Sequence, residues 1–127
     1  MSWDIVIFST RQKIENLEDV DDEQFVPTDF NGTFVSHFPN ISDIGEGARE
    51  IKGEGFSIVF YGDDGDLEGN TMVNMYGEAG LYEMVILARK QNWQIYDTGI
   101  GEMLDLEHPE RNGYERFQEY LKHVLKR

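Results

Sequence analysis

The sequence predicts one α+β domain: a mainly antiparallel mixed sheet of four to six strands with two or three helices packed on it. Three observations lead there. The chain has 127 residues, 39% of them hydrophobic, with eight Phe, six Tyr and two Trp. That is enough for one well-filled core, whereas two cores would each sit near the lower size limit for independent folding. Short apolar runs (WDIVIF, FSIVFY, TMVNMY, WQIYD) bounded by Gly, Asp and Asn read as strands. Longer stretches carry apolar residues three and four apart, the period of a helix.

Taken in order, Trp3 to Phe8 is a strand with Trp3, Ile5 and Ile7 on one face and Asp4, Val6 and Phe8 on the other. Residues 15–24 (ENLEDVDDEQ) hold six acids in ten positions, with only Leu17 and Val20 to anchor them, and read as a mobile acidic surface loop. Pro27 and Thr28 mark a helix entrance. Phe30, Phe34 and Phe38 then recur every fourth residue with Val35 beside them, until Pro39 stops the run, which places a helix near 28–38. Gly32 weakens that helix. The four glycines of ISDIGEGAREIKGEG indicate turns around a short extended piece.

Phe56 to Tyr61 is expected to be a strand buried on both faces or nearly so, with Thr71 to Tyr76 as its partner and DDGDLEGN as the connection. A helix over 79–92 carries Leu81, Met84, Val85 and Ala88 as its core stripe, widened by Ile86 and Leu87. Arg89 and Lys90 suit its negative end, and Asn92 suits its C-cap. WQIYD, TGIG and EMLDL form a hairpin. A last helix over 113–126 turns Tyr114, Phe117, Leu121 and Val124 inward. Glu115 lies in its first turn and Lys122, His123, Lys126 and Arg127 at its end, so the terminal basic cluster is explained by helix termination.

Charge is the most informative number. Twenty-five acids against 11 Lys and Arg give −14, and residues 15–70 hold 15 of the acids but only two bases, Arg49 and Lys52. Such a field opposes nucleic acid and anionic membrane and favours a basic protein partner. The plainer alternative is that the acidity keeps a small domain soluble. The carboxylates that would meet a basic partner are Asp19, Asp21, Asp22 and Glu23 in the first acidic loop and Asp63, Asp64, Asp66 and Glu68 in the second. No leader peptide is evident and no segment has the length of a membrane span, so the expected compartment is the cytoplasm.

The motifs for chemistry are sparse. From Asp64, the acids Asp64, Asp66 and Glu68 with Gly69 match the first half of a calcium loop. Met75 stands where the bidentate Glu is required, so DDGDLEGN is read as a turn. His37, His108 and His123 have no metal-ligand spacing, there is no Cys, and the serines lie in no GxSxG context. No GxGxxG bridges a strand and a helix, and no cofactor or metal is assigned. The expected function is non-enzymatic binding. The alternatives are a small hydrolase or metal-assisted enzyme using the hairpin carboxylates Asp97, Glu102 and Asp105, or an accessory domain.

GEGFSIVF, followed by MYGEAGLYEMVILARKQNWQIYDTGIGEMLDLEHPERNGY, resembles small, largely uncharacterised bacterial proteins in which a helix precedes an xxGWxxFD…GEfxDL hairpin. Asn92 stands here in the usual Gly place and Tyr96 in that of Phe. The resemblance covers the first strand and residues 53 to about 114. It implies an immunity protein of a bacterial polymorphic-toxin system and supplies no catalytic residues.

Overall fold

The structure, a computed structural model, describes residues 2–125. Lys126 and Arg127, read above as helix-end cations, lie outside the described residues. In chain order the elements are β1 (Ser2–Phe8), α1 (Phe30–His37), β2 (Ile41–Gly45), β3 (Ala48–Gly53), β4 (Phe56–Tyr61), β5 (Asn70–Tyr76), α2 (Glu78–Gln91), β6 (Gln94–Asp97), β7 (Glu102–Met103) and α3 (Phe117–Leu125). Short 3-10 turns occupy Leu17–Asp19, Asp22–Gln24 and Pro109–Asn112. The strands form one sheet in the order β2-β3-β4-β5-β1-β6-β7, antiparallel at every pairing. The fold is α+β.

Alternation along the strands decides which face is covered. Ile5 and Ile7 of β1, Ile51 of β3, Ile58 and Phe60 of β4, Val73 and Met75 of β5 and Ile95 of β6 are buried beneath the helices. Leu81, Met84, Val85, Leu87 and Ala88 of α2 close over them, each side chain contributing about 1.5–3 kcal/mol where it is large and apolar. Asn92 takes the left-handed conformation (φ 60°) and its N–H bonds to the Ala88 carbonyl, so α2 ends where the sequence places its cap.

The helix α1 is capped by Asp29, whose side chain accepts from the Gly32 N–H at 2.8 Å. A Cβ at position 32 would stand 2.1 Å from that carboxylate. The glycine that weakens the helix by propensity is therefore what lets the cap close over the first turn. Phe34 meets Phe60 edge to face at 5.2 Å between ring centres, and Phe30 lies 4.8 Å from Trp93, so the four-residue phenylalanine repeat is a core stripe.

Several expectations are corrected. The sheet has seven strands, beyond the range of four to six, because the glycine-rich 41–55 segment folds as the β2–β3 hairpin rather than as turns around one extended piece. All of β2 except half-buried Ile41 is exposed, so its ladder is made by backbone groups and leaves no apolar pattern to read. FSIVFY is buried on one face only: Val59 is half-buried and Tyr61 exposed, since the helices cover a single side. The last helix begins at Phe117 rather than near 113, because the Pro109–Asn112 turn ends at Gly113 with φ 96°.

Candidate functional site

Two acidic loops are brought together at the end of the sheet where β1 stops. Beyond Phe8, the Ser9 N–H donates to the Gly69 carbonyl at 2.8 Å, and the Ser9 carbonyl accepts from the Val26 N–H at 2.8 Å. Thr10 pairs with Phe25, and Thr28 and Glu68 exchange both backbone hydrogen bonds at 2.9 and 3.0 Å. Residues 25–28 thus form a short strip from which the 15–24 and 62–69 loops both project. The Phe25 ring lies over Gly69, where a Cβ would come within 2.4 Å of it. Any side chain at 69 would displace the Phe25 side chain.

The first loop is pinned. The Gln12 side chain donates to the Asp19 carbonyl and accepts from the Asp21 N–H at 2.9 Å, while Asp21 accepts from the Glu23 N–H at 3.0 Å. Gln94 of β6 holds both Ile14 N–H (2.8 Å) and the Gln12 carbonyl (2.7 Å). Leu17, expected to anchor the loop, is exposed; buried Ile14 and the Gln12 and Gln94 amides do so instead.

Asp19, Asp21, Asp22, Glu23, Asp63, Asp64, Asp66 and Glu68 are all exposed. Among the described residues only Asp64 of these eight is in an ion pair, to Arg49 at 2.6 Å. The same guanidinium lies over the Phe60 ring at 4.7 Å. Among the described residues, the chain's cations therefore leave most of this acidic end without an ion pair. No group of three or more His, Asp or Glu among the described residues is arranged to hold a metal ion.

The hairpin carboxylates are engaged separately. Asp97 has no exposed surface and accepts from the Tyr114 hydroxyl and from the Gly99 N–H at 2.8 Å. Glu102 lies opposite it in the β6–β7 ladder but is exposed and meets the Asn112 amide at 3.3 Å. Asp105 accepts from the N–H groups of Glu107 and His108, both at 3.1 Å, and from Arg111 at 3.2 Å. Burial works against the charge on Asp105, but these donors outweigh it and hold its carboxyl below the usual range.

Sequence reasoning missed the tyrosines. The hydroxyls of Tyr82, Tyr114 and Tyr120 donate to Glu78, Asp97 and Glu83 respectively, and the Tyr82 ring touches both others at 6.3 and 5.3 Å between centres. Burial, then the hydrogen bond and charge of Asp97, then the charge of Glu78 push the Tyr114 phenol upward. Only the four-residue step from Glu78 to Tyr82 was visible in the sequence; Asp97 and Tyr114 are joined by tertiary packing.

No helix among the described residues is long and apolar enough to cross a membrane. No family model, curated protein or solved structure matches the chain.

Proposed function

We propose that this chain is a non-enzymatic acidic binding protein, an immunity-type inhibitor that occupies the basic surface of a toxin or nuclease domain. One observation carries the reading: two acidic loops distant in sequence are tied side by side through Thr28 and Glu68, and their carboxylates are exposed with a single ion pair among the described residues. A pinned loop loses little backbone freedom on meeting cations, and the field of its carboxylates speeds encounter with a basic surface. The partner surface is the Asp19, Asp21, Asp22 and Glu23 loop together with Asp63, Asp66 and Glu68; Asp64 is partly neutralised by Arg49.

The test starts from a basic protein retained from native lysate at low salt and released by a salt step. The purified partner should lose its toxic or nuclease activity when this chain is added. Reversing the charges at Asp19, Asp21, Asp22 and Glu23 should weaken binding by about tenfold or more and flatten its salt dependence. Unchanged affinity and salt slope would remove this face from the interaction.

A further inference from the structure

The opposite end of β1 carries a cavity of a different kind. Trp3, Tyr76, Gly77, Glu78, Gly99, Ile100 and Tyr114 line a shallow space of about 540 Å³. Tyr76 and Ile100 stand largely in solvent, 54% and 41% exposed. The Trp3 indole Nε1–H is buried with no acceptor among the described residues. Gly99 makes room for that indole, since a Cβ there would lie 3.4 Å from the ring and 3.1 Å from the Asp97 carboxylate. No Lys or Arg is among the lining residues, while Glu78 is exposed on the rim with Oε1 taken by the Tyr82 hydroxyl and no hydrogen bond to Oε2 among the described residues.

We infer that this cavity receives an arginine side chain of a protein partner, held against the rings of Trp3, Tyr76 and Tyr114 with Glu78 as its counter-ion. Aromatic faces attract a cation through the ring quadrupole, and a planar guanidinium stacks on them while its N–H fork meets a carboxylate. The charge of the site has the matching sign. The N-terminus of α2 contributes about half a positive charge, which the full charges of Glu78 and buried Asp97 outweigh. The same two carboxylates, after burial as the largest cause, push the Tyr114 phenol upward. The inference shares with the proposed function only a basic protein partner, because Trp3 lies about 20 Å along β1 from the acidic loops.

The test is a titration of the full chain with a short peptide carrying one arginine and with its neutral citrulline counterpart, at fixed ionic strength, following the two indole N–H resonances. The arginine peptide should shift the Trp3 resonance saturably and leave that of Trp93, which is 3% exposed in the core, in place. Glu78→Gln, which keeps an acceptor for Tyr82, should weaken this binding by about tenfold, and Tyr76→Ala by about threefold or more. The charge-reversed acidic-loop variant should bind the arginine peptide as before, even where it loses the basic partner. Equal binding of the citrulline peptide, no saturable shift, or a Glu78→Gln variant that binds unchanged would each overturn the assignment. Loss of binding in the acidic-loop variant would instead place the peptide at that end and overturn it as well.

Discussion

At the Phe8 end of β1, seven exposed carboxylates face solvent with no ion pair among the described residues. At the Trp3 end, Asp97 has no exposed surface and is held by a phenol and a backbone N–H. The two ends use the same functional group for opposite purposes. Exposed carboxylates keep their hydration and contribute little to stability, so they remain available to a partner. A buried carboxylate has lost its water, and its fixed donors must replace it. What an acid does in this molecule follows from its donors, not from the local density of acids.

The sharpest way to break the comparison is Asp97→Ala. It removes the acceptor of the Tyr114 hydroxyl and of the Gly99 N–H inside the fold, and should destabilise the chain by about 3 kcal/mol in urea unfolding. A loss within experimental error of zero would show that this carboxylate is no more structural than those of the loops.

Tyr114→Phe comes next, with an expected loss of about 1.5–3 kcal/mol at neutral pH, since the lost hydrogen bond has a charged acceptor. Its pH dependence carries a sign. The Tyr114 phenol is raised in the folded protein, so the folded state holds that proton more tightly than the unfolded chain does. The associated stability is fully present below about pH 10, the ordinary tyrosine value, and drains away as pH rises above it. Urea midpoints between neutral pH and pH 11 should fall more steeply for the native chain than for Tyr114→Phe. Parallel curves would break the link between the phenol and its acid.

The smallest stability effect belongs to the acidic loops. Single neutralisations at Asp19, Asp22, Asp63 or Asp66 should change stability by less than about 0.5 kcal/mol each, in either direction. Asp21, which caps a 3-10 turn through the Glu23 N–H, should show a slightly larger loss on truncation to Ala. Losses above 1 kcal/mol at the uncapped sites would erase the contrast between the two ends.

Elements with an apolar face were legible because burial selects for period. The phenylalanine repeat of α1, the stripe of α2 and the isoleucines of β1 fall on the covered side as the spacing predicts. The β2 strand was not legible, since an exposed edge held by backbone bonds carries no side-chain signature. The same reason hid the tyrosine–acid pairs: Tyr114 and Phe117 read alike as inward-facing residues, and nothing along the chain tells that one of them ends on a carboxylate 17 residues away.

The sequence by itself determined the fold class, the positions of α1 and α2, the cap at Asn92 and the excess of acid in residues 15–70, because these depend on local spacing and composition. Only the tertiary structure decided that the two acidic loops share one end of the sheet, that Asp97 is buried while Glu102 opposite it is exposed, and that Trp3 and Tyr114 line one cavity. Those facts rest on strand order and register, which bring residues far apart in the chain within reach of a hydrogen bond and which no local pattern encodes.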